Sequence, residues 1–158
     1  MKSILIIGAS NAGKSTTMRE VCKKLSPSKV YRLYANKNNL EKSRIELSDV
    51  KKIFNDTFII EIDGKFVLVV AGAPTEQKIK ITILIEICIE LKINISFILV
   101  SMRSFERSKN FDTPNELKKK SEIVLTEKIH IIKDEKFEDN IEWNKRINKI
   151  ADTLKSNI

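Results

Sequence analysis

The segment that most limits the fold is the turn Gly8-Ala9-Ser10-Asn11-Ala12-Gly13-Lys14-Ser15, which joins two stretches of different period. Before it, residues 3–7 are an almost unbroken apolar run, Ser-Ile-Leu-Ile-Ile, as expected of a strand buried on both faces. After it, Met18, Val21, Cys22 and Leu25 follow an i, i+3, i+4, i+7 spacing until Pro27 stops the pattern, which predicts an amphipathic helix. A buried strand that turns directly into a helix opens an α/β domain.

The rest of the chain continues that alternation. Residues 29–35 read as a second strand and 36–42 as an exposed polar loop. The runs 57–62 and 65–70 flank Asp63-Gly64, a pair that favours a type I′ turn, so they form a β-hairpin. Its second arm is nearly all apolar and breaks at Ala71-Gly72-Ala73-Pro74, placing it mid-sheet with the following loop at the carboxyl edge. Residues 79–91 alternate like a strand. Even so, Lys78, Thr82, Glu86 and Glu90 form one polar stripe opposite Ile81, Leu84, Ile85, Cys88 and Leu91, so a helix is expected. A buried strand at 95–100 leads into Ser101-Met102-Arg103-Ser104 at the same edge. Thr113, Pro114 and Glu116 predict a capped helix start, with Thr113 as the cap. A short strand is expected at 128–132. A last helix carries Trp143, Ile147, Ile150, Ala151 and Leu154 on one face. The expectation is a single domain, 1–158, of three layers, with a mainly parallel central sheet, helices on both faces and a hairpin contributing an antiparallel strand.

Polyphosphate binding needs backbone N–H groups curled around anionic oxygens, a helix N-terminus aimed at them and one well-placed cation. The 8–15 loop offers all three. Gly8 and Gly13 let the backbone bend and approach closely, with Ser10, Asn11 and Ala12 between them. Lys14 reaches the β- and γ-phosphates, the Ser15 hydroxyl ligates Mg²⁺, and Thr16 meets the α-phosphate. On the match to G-x-x-x-x-G-K-[ST], the chain is identified as a member of the P-loop NTPase superfamily, over at least its first 25 residues. The resemblance implies the P-loop NTPase fold, a nucleoside triphosphate as ligand and Mg²⁺ as cofactor.

Beyond the loop the resemblance is partial. P-loop proteins usually end a second central strand in a metal-associated carboxylate, but here residues 66–70 end in Ala71. Glu76 is the only carboxylate in the following loop and is the candidate for a metal or water role; its other reading is a helix-start acid near the N-terminal dipole. The hairpin followed by Ala71-Gly72 is similar to the switch region of Ras-like GTPases, with Val69 where those proteins have aspartate. Three Asn-Lys pairs, at 36, 144 and 148, lack the aspartate of N-K-x-D, so ATP is expected in preference to GTP. Gly72, Pro74, Arg103 and Arg107 loosely resemble the acceptor site of small nucleotide kinases. Small bacterial ATP-binding P-loop proteins are a third resemblance. Arg103 is a candidate either for stabilising a transferring phosphoryl group or for anchoring its loop through a carboxylate.

Composition bounds the remaining classes. A chain of 158 residues has room for one core, burying roughly two-thirds of its unfolded surface. The net charge of +8 draws phosphate-bearing partners, but the lysines are scattered, and Lys118-Lys119-Lys120 reads as a solvated helix surface, so nucleic acid is weakly supported as a partner. Cys22 and Cys88 read as small hydrophobes in a reducing compartment. His130 reads as a packed strand residue, and Phe137 and Trp143 as core or the docking face of the last helix. No run is long enough for a membrane span, so a cytoplasmic location is expected. These readings point to an ATP–Mg²⁺-binding protein, either a slow ATPase or switch acting on a protein partner or a kinase for a small acceptor. A non-catalytic sensor and a nucleic-acid-associated protein are the alternatives.

Overall fold

In chain order the elements are β1 (Lys2–Ile7), α1 (Lys14–Leu25), β2 (Lys29–Tyr34), β3 (Arg44–Leu47), β4 (Thr57–Ile62) and β5 (Lys65–Val70). They continue through α2 (Pro74–Gln77), α3 (Ile81–Glu90), β6 (Ile95–Met102), α4 (Thr113–Lys118), β7 (Glu122–Lys128) and α5 (Ile141–Asn157). This computed structural model describes residues 1–132 and 140–158, so Phe137 lies outside the described residues. Among the described residues the strands form one seven-stranded mixed sheet in the order β3-β2-β4-β5-β6-β1-β7. Strands β5, β6, β1 and β7 pair in parallel, while β4, β2 and β3 pair antiparallel to their neighbours. The fold is therefore α/β with most strands pointing the same way, and the antiparallel part is larger than the hairpin alone.

Side-chain alternation divides the core between the two faces of the sheet. Ile4 and Ile6 of β1, Val67 and Val69 of β5 and Leu99 of β6 pack with α1 and α5. Leu5, Leu68, Val70, Ile98 and Val100 pack with α3 and with Leu117 of α4. The pairing of Leu5 with Val100, and of Val100 with Val70, keeps each set on its own face. A slip by one residue would turn every one of these side chains over. Each fully buried aliphatic side chain contributes about 1.5–3 kcal/mol, and within the isoleucine-rich 79–91 segment residues 81–90 form a helix that gathers its buried side chains on one face. Ile81, Leu84, Ile85 and Cys88 are buried there, as the polar stripe predicts, and Ile87 is buried beside them, while Leu91, expected on the same face, is the half-buried C-cap. Among the described residues no helix is long and apolar enough to cross a membrane.

Several boundaries differ from expectation. Strand β6 runs on through Ser101 and Met102, because the Ser101 hydroxyl is buried and donates to the carbonyls of Val70 (3.2 Å) and Ala71 (2.8 Å). The last strand is Glu122–Lys128 rather than 128–132. It pairs with β1 from Lys2 to Ile7; the Ile129 N–H still donates to the Ile7 carbonyl at 2.8 Å, and beyond that the apolar residues 131–132 have no β1 residue left to pair with. His130 is consequently an exposed loop residue and not a packed strand residue. The cap of α4 is Asp112, whose carboxylate accepts from the Asn115 N–H, while Glu116 accepts from the Asp112 N–H at 2.7 Å. Thr113 instead becomes the first helical residue, its N–H and hydroxyl both donating to the Glu106 carboxylate. The hairpin turn is as expected, with Asp63 and Gly64 at φ of 50° and 77°. Trp143, Ile147, Ile150, Ala151 and Leu154 are buried on one face of α5, as their spacing predicts.

Candidate functional site

The 8–15 loop leaves β1 at the carboxyl edge of the sheet and enters α1 at Lys14. Two left-handed residues shape it, Asn11 at φ 67° and Gly13 at φ 87°. Gly13 is also the N-cap of α1, a position where a side chain would be strained by that φ. The first turn of α1 thus presents its N–H groups, and the positive end of its dipole, to the cavity in front of the loop. Ser10, Asn11, Gly13, Lys14, Ser15 and Thr16 line that cavity, of about 490 Å³, together with Glu76 and Arg103. Gly8 and Ala12 stand behind it. The Gly8 N–H donates to the Met102 carbonyl at 3.1 Å, and the Ala12 N–H to the Ala9 carbonyl at 3.1 Å.

Lys14 is nearly buried, at 8% exposure. Its ammonium donates to the Gly8 carbonyl (2.8 Å) and the Ala9 carbonyl (2.9 Å), so it curls back over the loop and holds a positive charge at the loop's centre. Burial lowers its pKa from the usual lysine value; the nearby Glu76 opposes that shift and Arg103 adds to it. Glu76 and Arg103 meet directly across the cavity, Arg103 Nε donating to Glu76 Oε1 at 2.9 Å. The loop after β5 and the loop after β6 are joined by this contact, and both candidates belong to one site. Among the described residues no group of three or more His, Cys, Asp or Glu side chains gathers as a metal cluster.

Three neighbours of the loop escape sequence reasoning. Asn55 accepts a 2.8 Å hydrogen bond from the Ser15 hydroxyl through Oδ1, bringing the segment before β4 against the start of α1. Phe54, 49% exposed, lines the same cavity. Arg146, from α5 at the far end of the chain, donates to the Ala12 carbonyl (3.3 Å), the Thr17 hydroxyl (3.4 Å) and the His130 carbonyl (2.5 Å), and lies over the Trp143 ring at 5.5 Å. Burial lowers the Arg146 pKa, with Glu127 and Glu142 opposing. Its guanidinium braces the outer side of the loop, and the available signal was only a lone arginine one helical turn from Trp143.

Both cysteines are buried and free, as expected, and desolvation pushes each thiol up to about 12, so neither is a nucleophile at neutral pH. The site is therefore a cavity lined by backbone N–H groups, hydroxyls, a buried ammonium and one arginine–carboxylate pair, a donor set suited to a polyanion. Compared with models of known protein families, with curated proteins and with solved structures, the chain matches none.

Proposed function

We propose that this chain is a P-loop NTPase that binds ATP with Mg²⁺ at the 8–15 loop and hydrolyses it slowly, passing its nucleotide state to a protein partner. The observation that carries the reading is the strand–loop–helix unit itself, with a left-handed glycine at the helix start and the Lys14 ammonium held over the loop's own carbonyls. A bound triphosphate takes over those ammonium hydrogen bonds with stronger, charge-assisted ones. Oxygen donors suit magnesium, and the Ser15 hydroxyl, with Asn55 Oδ1 at 2.8 Å and Glu76 on the same cavity, supplies them. When bound, Mg²⁺ offsets charge on the terminal phosphates. The Ser15–Asn55 contact supports the switch part of the reading, because a change at Ser15 is felt by the segment that carries the exposed Phe54.

Calorimetric titration tests the core of this. ATP with Mg²⁺ is expected to bind, and to bind at least as well as GTP, since the residues lining the cavity include no N-K-x-D aspartate to read guanine. A clear GTP preference in competition would overturn the adenine assignment, and absence of binding by either nucleotide would remove the NTPase reading.

Arg103 supplies charge stabilisation in this scheme. Its ion pair with Glu76 is 47% and 30% exposed at the two side chains, so its structural worth is about 0–1 kcal/mol. Arg103→Ala is accordingly expected to leave the melting temperature almost unchanged while slowing single-turnover phosphate release roughly tenfold, with ATP affinity little affected. A normal rate in the folded variant would strike Arg103 from the chemistry, and a large drop in stability would make it an anchor.

A further inference from the structure

A second cavity, of about 480 Å³, opens against the beginning of the 8–15 loop, at Ala9 and Ser10. We infer that it is a binding site for a phosphate monoester, facing the terminal-phosphate end of the nucleotide; this rests on the nucleotide reading of the loop. The orientation follows from the loop's direction. Thr16 meets the α-phosphate in that reading, so the terminal phosphate lies toward the loop's first residues, where this cavity begins.

The chemistry of the walls selects the ligand. Thr75, Glu76, Arg103, Phe105 and Arg107 line the cavity with Ser10. Glu76 is the only carboxylate among its lining residues, and the Arg103 Nε–H already satisfies it. The terminal nitrogens of Arg103 make no hydrogen bond to a described residue, and Arg107 makes neither hydrogen bond nor ion pair to any. The Thr75 hydroxyl oxygen is buried without a hydrogen-bond partner. Two guanidinium groups with unspent planar donors match a phosphate dianion, which arginine holds through paired N–H bonds. Phe105 is 79% exposed, and its ring offers a flat apolar wall for the organic part of an ester. An aromatic monoester answers both features of the site, whereas inorganic phosphate answers only the first.

The test uses the whole protein saturated with the non-hydrolysable analogue AMPPNP and Mg²⁺, so that the 8–15 loop is filled. Phenyl phosphate is titrated in by calorimetry, with inorganic phosphate as the comparison. Phenyl phosphate is expected to bind saturably and more tightly than inorganic phosphate. Arg107→Ala is expected to weaken it roughly tenfold without changing AMPPNP affinity, and Phe105→Ala to bring it down to the level of inorganic phosphate. No phenyl phosphate binding to AMPPNP-loaded protein, or binding indifferent to Arg107→Ala, would overturn the site. Failure of AMPPNP itself to bind would instead sink the nucleotide reading, so the two are separable.

Discussion

Lys14→Met is expected to abolish most ATP affinity while the protein stays folded. Methionine keeps the length of the stem and removes the charge. In the wild type the ammonium is held by the Gly8 and Ala9 carbonyls, at 2.8 and 2.9 Å, and Lys14 as a whole is 8% exposed. Its interaction with a triphosphate is therefore made in a place from which water is largely excluded. Charge-assisted hydrogen bonds of this kind contribute about 2–3 kcal/mol, roughly 30- to 150-fold in Kd. The two lost carbonyl contacts belong to the loop and not to the sheet core, so the melting temperature falls by only a few degrees, on the scale of about 1 kcal/mol. Calorimetric titration beside a thermal melt separates the two effects. Unchanged ATP affinity in a folded variant would remove the P-loop assignment and all that depends on it.

Gly72→Ala is expected to be the most damaging single methyl group near the site. A Cβ at Gly72 would stand 2.0 Å from the Asn55 carbonyl oxygen and 2.5 Å from its carbon. Those are backbone atoms, so no rotamer change relieves the overlap. Ala71 and Gly72 also donate their N–H groups to the Asp56 carbonyl, at 2.9 and 3.1 Å, so the 54–56 segment is fastened to the end of β5. Overpacking against fixed backbone costs about 1–3 kcal/mol, which lowers the melting temperature of a domain this size by roughly 3–10 °C. Because Asn55 accepts from the Ser15 hydroxyl, the displacement also reaches the residue proposed to ligate magnesium. ATP affinity should therefore fall in the presence of Mg²⁺ and change little in EDTA. A variant with wild-type stability would mean that the 54–56 segment yields freely, and its link to Ser15 would carry no functional weight.

How far the sequence could be read followed from how far its signals reach along the chain. The unit around the 8–15 loop was legible because all its parts are local: an apolar run, two glycines, a lysine and a helical repeat within twenty-five residues. The hairpin was legible for the same reason, since Asp63-Gly64 carries its own turn geometry. Helix α3, residues 81–90 of the expected 79–91, was legible from its polar stripe. Where a boundary depended on a neighbour, local pattern misled. Residues 129–132 are more apolar than 122–128, yet only the latter have the length of β1 to pair with. Thr113 has a capping side chain, but Asp112 takes the cap while Glu106, seven residues back, takes the threonine.

The sequence by itself determined the strand–loop–helix unit, the two-faced core of the parallel strands and the apolar faces of α1, α3 and α5, since all of these follow from spacing within one segment. Only the tertiary structure decided that β6, and not β5, lies beside β1, so that Arg103 at the end of β6 meets Glu76 after β5. Only it brought Asn55 to Ser15 across 40 residues, and Arg146 to Ala12 across 134. The physical reason is that periodicity states which face of an element is buried, while strand order and loop contacts come from the packing of all the faces together, which no single segment records.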